Sequence, residues 1–343
     1  MTDYRPLTIE HLENAAALLA ARHRRDRAAC PLMPASFEQP HEMALLLSEL
    51  FAEAGMAGVA AFERRRLMGY ACGSPVFPAA TDAFAGLTLP RTAAIPDIGF
   101  ALAEDAAPDL AGSLYGALAG NWVGHGILAH EVMLRARPEV QEAWADLGFG
   151  RYMAMGACLI DDQATGGEPP AGVLFRMATL ADIELVQDAI VRLFQSFAGS
   201  PQFFPHLRET QAAQRQYVSE LMADATCPSW LAVDAAGRVV AVDMFVERGS
   251  AFWGHLSPLH APERAIYLQF AYTEPEWRGT GLGGALLAHA LSWAREAGND
   301  ICLVHWLTAS RAASFYRRYG FRPVTHSLRR HVDARASWPG SHV

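Results

Sequence analysis

Apolar residues along this chain fall into two recurring patterns, one spaced three and four apart, the other alternating or continuous over short runs. The first marks helices with one buried face and the second marks strands. In the C-terminal half the helical spacing predicts helices over 181–194 and 209–223, the first with Thr179 or Asp182 as its cap. Apolar, β-rich runs over 230–233 and 239–246 flank the turn signal Asp234-Ala235-Ala236-Gly237, which predicts a hairpin. Strand, helix, strand and helix follow over 265–273, 281–296, 301–307 and 310–319, and an extended segment over 321–332 ends the pattern. This late alternation predicts a mixed α/β (α+β) fold with helices packed on a central, mostly antiparallel sheet.

The pattern repeats. Phe175-Arg176-Met177-Ala178-Thr179 precedes one helical run as Tyr4-Arg5-Pro6-Leu7-Thr8 precedes another, a spacing of 171 residues (176 − 5). Tyr316-Arg317-Arg318-Tyr319-Gly320-Phe321 parallels Trp144-Ala145-Asp146-Leu147-Gly148-Phe149 at a spacing of 172 (320 − 148). Two matches at nearly one offset imply a duplication. They divide the chain into a domain over 1–160, a linker over 161–173 containing Gly166-Gly167 and Pro169-Pro170, and a domain over 174–343.

Composition narrows the class. The 343 residues are 51% hydrophobic and 19% charged, as in ordinary globular domains, and no uninterrupted apolar run reaches the ~18 residues of a membrane helix. The N-terminus carries no basic stretch followed by an apolar run. The cysteines Cys30, Cys72, Cys158, Cys227 and Cys302 are scattered and form no CxxC or Cys/His ligand spacing, so a cytoplasmic protein without metal is expected. A formal charge of −8 disfavours nucleic acid as a partner. Arg22, Arg24, Arg25 and Arg27 cluster in the first half and read as a solvated helix face, the alternative being a contact with an acidic substrate or partner.

Candidate chemistry concentrates in Tyr272-Thr273-Glu274-Pro275-Glu276-Trp277-Arg278-Gly279-Thr280-Gly281-Leu282-Gly283-Gly284, between a predicted strand and a predicted helix. Glycines permit a turn whose N–H groups converge where the next helix exposes its own free N–H groups and positive dipole end. Such a turn binds a pyrophosphate. The spacing is not the GxGxxG of a dinucleotide fold, and a P-loop requires a lysine, which this chain lacks entirely.

Arg278-x-x-Gly281-x-Gly283 resembles the (Q/R)xxGx(G/A) acetyl-CoA signature of the GNAT N-acetyltransferases. Thr273-x-Pro275 fits the end of that family's fourth strand, and Phe315-Tyr316-Arg317-Arg318-Tyr319-Gly320-Phe321 is similar to its closing helix and YxxxGF turn. The resemblance implies two tandem GNAT-like domains. It implies that backbone groups of Arg278, Gly279, Thr280, Gly281, Leu282 and Gly283 hold the pyrophosphate of acetyl-CoA, and that Tyr272 and Thr273 lie where a splayed strand meets the pantetheine. Tyr316 falls on the tyrosine that protonates the departing thiolate. The family's asparagine before the closing helix is replaced by Ala309, so Ser310 either supplies the lost contact or is a helix N-cap. For the general base, Glu274, His305, His255 and Glu247 are candidates beside a water relay.

Carried back by 172 residues, the signature falls on Ala106, Ala107, Asp109 and Ala111 with Pro108 among them, and the tyrosine falls on Trp144. Glycines, arginine and acid are all gone, so the first half is expected to have lost the cofactor site. The expectation is an acetyl-CoA-dependent N-acetyltransferase, monomeric or homodimeric, acting on a small-molecule amine, with residues 250–263 as a candidate acceptor loop. A protein N-terminus or lysine is the alternative acceptor, and a non-catalytic acyl-CoA sensor the alternative class. A chain with no lysine offers no lysine of its own to acetylate.

Overall fold

The elements form within a residue or two of where the periodicity places them. A computed structural model describes residues 2–161 and 167–338, and the chain divides into two units. Residues 162–166 of the expected linker lie outside the described residues.

The first unit comprises Met1–Pro78, Leu89–Met153 and Val324–Val343. Its elements are β1 (Asp3–Pro6), α1 (Leu12–Ala29), α2 (Pro40–Ala52), β2 (Ala57–Glu63), β3 (Arg66–Val76), β4 (Thr92–Ile95), β5 (Phe100–Leu102), α3 (Leu110–Gly124), β6 (Ala129–Arg135), α4 (Pro138–Asp146) and the start of β7 (Gly150–Leu159). The second unit comprises Ala79–Thr88 and Ala154–Pro323. It holds the rest of β7, then β8 (Val173–Met177), α5 (Ile183–Ser196), α6 (Gln211–Ala223), β9 (Ser229–Asp234), β10 (Val239–Glu247), β11 (Ala265–Thr273), α7 (Leu282–Glu296), β12 (Ile301–Leu307) and α8 (Arg311–Arg318). The last strand, β13 (Arg322–His331), begins in the second unit and runs into the first.

The units are therefore not the two contiguous halves that the repeat suggests. In the first unit the strand order is β1-β2-β3-β4-β6-β13, and β13 pairs antiparallel with β6 from Thr325↔Arg135 to His331↔Ala129. In the second the order is β7-β12-β11-β10-β9-β8. Each sheet thus takes its strand beside β6 or β12 from the other half of the sequence. Close packing specifies the exchange locally: a Cβ on Gly156 of β7 would lie 2.2 Å from the Trp306 ring of β12, so only glycine fits there.

The duplication is visible in local detail. Thr8 and Thr179 each open a short 3₁₀ turn with a reciprocal side-chain and backbone box, closed by His11 and Asp182. α4 and α8 end alike, with Gly148 (φ +84°) and Gly320 (φ +81°) left-handed. Phe149 N–H bonds to the Trp144 carbonyl, and Phe321 N–H to the Tyr316 carbonyl, both at 3.1 Å. The expected solvated cluster on α1 is corrected. Arg22, half-buried, bonds to Asp97, Arg25 donates to the Leu102 carbonyl and Arg27 to Met33 and Glu38, while Arg24 stays exposed and donates to the Glu38 carbonyl. These guanidiniums staple α1 to its surroundings.

Candidate functional site

The centre of the second unit is a strand pair that opens. β11 and β12 run parallel in register from Ala265↔Ile301 to Leu268↔Val304 and share no pairing beyond that point. On its other side β11 stays paired with β10 to Thr273↔Ala241, but the register skips Gln269 between Leu268↔Phe245 and Phe270↔Met244. Gln269 is thus an extra residue in β11, a bulge that kinks the strand where it leaves β12. The next residue on β12 is His305. The β11–β12 ladder thus stops just before these two residues, where a wedge between the strands begins, and the buried Gln269 Oε1 has no hydrogen-bond partner.

β11 ends at the glycine turn. Gly279 (φ +81°) and Gly281 (φ +92°) are left-handed, and a Cβ on either would meet nothing within 4 Å. These two glycines serve backbone conformation and leave the surface above them open. Gly283 and Gly284 serve packing: a Cβ would lie 2.7 Å from Thr273 Oγ1 at the first and 1.5 Å from the Tyr319 hydroxyl at the second. Gly281 is the N-cap of α7, whose first N–H groups have no acceptor within the helix. Arg278 Nε donates to the Thr273 carbonyl at 2.9 Å, and its guanidinium lies 5.5 Å from the Tyr272 ring centre, clamping the turn to the end of β11. Thr280 Oγ1 donates to the Trp277 carbonyl at 2.7 Å. Leu282 N–H, 3.4 Å from Thr280 Oγ1, points into the same turn. The arrangement fits a pyrophosphate: several amides and a helix N-terminus face one open surface.

Tyr316 on α8 is buried at 5% exposure, its ring packed on Trp306, Phe315 and Phe321. Trp306 belongs to the part of β12 that has left β11, so the tyrosine sits beside the opened pair. Burial, and secondarily Asp243, holds its hydroxyl well above the ordinary phenol range, so it keeps its proton. Asp243 is the residue that the sequence analysis missed. It faces Ala271 of β11 and Trp230 of β9, is 4% exposed, and its Oδ2 has no hydrogen-bond partner. Burial alone pushes this carboxyl up to about 8. Its signal was present, because Asp243 is the one charged position in the apolar run 239–246.

The base candidates separate. Glu274 accepts from Arg192 at 2.6 Å through Oε1 and from the Tyr272 hydroxyl at 3.1 Å through Oε2, so both oxygens are committed. Glu247 stands opposite Ile266, in the closed part of the β11–β12 pair. The side chain of His255 lies outside the described residues. His305 Nδ1 is 3.0 Å from the Tyr267 hydroxyl, which fixes the ring at the start of the wedge. Ser310 occupies the N-cap position of α8 without a side-chain cap bond, its hydroxyl turned back to the Leu307 carbonyl at 2.7 Å. The N-cap position is the one that the sequence offered for Ser310. Among the described residues no cluster of three or more His, Cys, Asp or Glu could hold a metal. No described helix is long and apolar enough to cross a membrane.

A family model described as an acetyltransferase (GNAT) domain matches residues 228–323. That span runs from β9 to the start of β13 and encloses the bulge, the wedge, the glycine turn and Tyr316. Solved structures extend the likeness to both units. A GCN5-related N-acetyltransferase from Sphaerobacter thermophilus is 16% identical with a TM-score of 0.56, over 96% of this chain and 95% of that one. A tandem GNAT protein from the clavulanic acid biosynthesis pathway is 13% identical with a TM-score of 0.53, over 96% and 98%. The fold is that of tandem GNAT proteins. The comparison with curated proteins yields no match.

The first unit lacks the GNAT domain's turn. α3 starts after Asp109, which is right-handed (φ −85°, ψ −2°), with Pro108 before it. Trp144, in the place of Tyr316, is fully buried against Phe100, Tyr115 and Phe149. Where β11 bulges and continues, β4 stops at Ile95 and gives way to a 3₁₀ turn over Asp97–Gly99. Asp97 is 3.0 Å from Arg22 and 3.7 Å from Arg135, and Arg135 is 3.2 Å from Asp26. These side chains form a largely buried ionic cluster beside the end of β4.

Proposed function

We propose that the second unit is an acetyl-CoA-dependent N-acetyltransferase whose acceptor is a small-molecule amine, with one active centre per chain. The observation that carries this reading is the coincidence, within one unit, of the wedge at Gln269 and His305 with the open left-handed turn at Gly279 and Gly281. When bound, acetyl-CoA supplies an activated acyl thioester. Amides of the turn and of the first residues of α7, through Gly283, hold its pyrophosphate. The unpaired edge of β11 from Gln269 to Thr273 offers N–H and C=O groups to its amide-bearing arm. A fixed N–H at the bulge opposes the negative charge that develops on the carbonyl oxygen.

His305 takes the proton from the attacking amine. The Tyr267 hydroxyl, 3.0 Å from Nδ1, orients the imidazole for that transfer. Glu274, expected from sequence as a catalytic residue, instead acts with Arg192 to hold Tyr272 and the end of β11 in place. Tyr316 returns a proton to the leaving thiolate, and its buried, uncharged hydroxyl suits that role. The direct test is calorimetry of acetyl-CoA with the intact chain and with Gly281→Asp, which copies Asp109 into the turn. One site per chain, lost in the variant, together with thiol release in the presence of amines, supports the reading. Two sites, or a site indifferent to the substitution, would refute it.

A further inference from the structure

Where the β11–β12 ladder stops, one residue on each strand reaches the surface. Of the residues from Ala265 to Phe270 only Gln269 is not buried, and of those from Ile301 to Leu307 only His305. The last paired residues are Leu268 and Val304, so these two hold the next positions on facing strands. Both lie on the face of the sheet away from α7. Leu268, Val304 and Trp306 share a core cluster with Leu287 and Leu291 of α7, and strand alternation turns Tyr267, Gln269 and His305 the other way. The bond between the Tyr267 hydroxyl and His305 joins two of these three across the strands. Phe270 meets Phe194 of α5 and Tyr217 of α6, so the extra residue of the bulge is what brings Gln269 onto the same face as its successor.

Although the Gln269 side chain reaches the surface, its Oε1 is buried and has no hydrogen-bond partner. A buried acceptor left unpaired is unfavourable, and a donor brought by a ligand would satisfy it. An amide oxygen accepts a hydrogen bond but takes no proton near neutrality, so its part in a reaction differs from that of the imidazole beside it. The first unit has neither group. Its corresponding ladder, β4 with β6, ends at Ile95↔Val132, and the next residues are Pro96 and Met133. Acceptor and imidazole are both missing from the unit that lacks the glycine turn.

We propose that Gln269 orients the acceptor amine, its Oε1 accepting one N–H of the attacking nitrogen while His305 takes the proton of another. The proposal rests on the transferase reading and deepens it. As the nitrogen–carbon bond forms, the nitrogen gains positive charge, and its hydrogen bond to Oε1 strengthens toward the transition state. The carbon–sulfur bond then breaks, one nitrogen proton passes to His305, the Tyr316 proton goes to the thiolate, and the product amide keeps the N–H held by Gln269. A primary amine has two N–H groups and serves both residues. A secondary amine has one and must leave either Gln269 or His305 without its partner, so Gln269 sets a preference for primary amines.

The test follows thiol release by the full chain saturated with acetyl-CoA, with methylamine and dimethylamine as acceptors, two amines of nearly equal basicity. The kcat with methylamine is expected to exceed that with dimethylamine by about tenfold or more. Gln269→Met keeps the length of the side chain and removes the acceptor oxygen, and should bring the two within about threefold of each other by lowering the methylamine kcat. Gln269→Glu keeps an acceptor oxygen and should retain the preference. Equal rates in wild type, a preference lost in Gln269→Glu, or one that survives in Gln269→Met and so comes from space alone, overturns the proposal. So does absence of thiol release with either amine from a chain that binds acetyl-CoA in calorimetry, since amines this small need no other part of an acceptor site. Failure to bind acetyl-CoA would instead sink the transferase reading itself.

Discussion

Asp243 ties the stability of the second unit to pH in a direction opposite to that of most carboxylates. Its folded carboxyl is pushed up to about 8 from an ordinary 3.8, because burial removes water and Oδ2 has no hydrogen-bond partner in its place. The folded state therefore holds a proton that the unfolded chain releases. This contribution is complete below 3.8, the unfolded value, and is lost as pH rises through about 8, the folded value. At about 1.4 kcal/mol per pH unit, the loss between about pH 5.5 and 8 is roughly 3 kcal/mol. Asp243→Asn keeps the shape and removes the titration, so its stability relative to wild type should increase by about 3 kcal/mol between pH 5.5 and pH 8.5. Urea unfolding at both values, followed by tryptophan fluorescence, measures the difference. Burial depresses His23 and His130 of the first unit, which gain stability in the opposite sense as pH rises through their unfolded value. They are common to both proteins and cancel in the comparison. Parallel pH dependence in wild type and variant would show that Asp243 holds no proton in the folded state and would refute the reasoning.

The other expectations are briefer. Tyr316→Phe removes the acid while preserving the ring packing on Trp306 and Phe321. The kcat should fall by about 10²–10⁴ with acetyl-CoA affinity within twofold, and loss of affinity instead would assign the residue to packing. His305→Gln should lower kcat/KM by a similar factor near neutrality. The loss should shrink as pH rises toward the acceptor's own pKa, since more of the amine then arrives already deprotonated, and a pH-independent deficit would exclude His305. Gly281→Asp imposes a side chain at φ +92° and sets a carboxylate at the turn. Acetyl-CoA binding should drop by more than a hundredfold in calorimetry, and a smaller effect would displace the pyrophosphate from this turn. Asp97→Asn breaks a buried ion pair and should destabilise the first unit by about 3–5 kcal/mol in urea, with acetyl-CoA affinity unchanged.

The sequence by itself determined the elements and the chemistry of the turn. Strand and helix periods of two and 3.6 residues are local properties, so β11 and β12 fall on the predicted residues and α7 within one residue of them. The glycine spacing and the matching ends of α4 and α8 were likewise legible, because a left-handed residue leaves a local mark. Tertiary structure decided what depends on neighbours distant in sequence. Identical residue types diverged in role: Gly279 and Gly281 free the backbone, whereas Gly283 and Gly284 admit Thr273 and Tyr319. Glu274 met Arg192, 82 sequence positions away (274 − 192), and lost its freedom as a base. β13 paired with β6, and Ala79–Thr88 joined the second unit, because strand edges and aromatic faces are satisfied by whichever partner the chain can reach. Asp243 carries the same lesson: its charge was plain in the sequence, but only the packing of β9, β10 and β11 deprived it of water and of a partner.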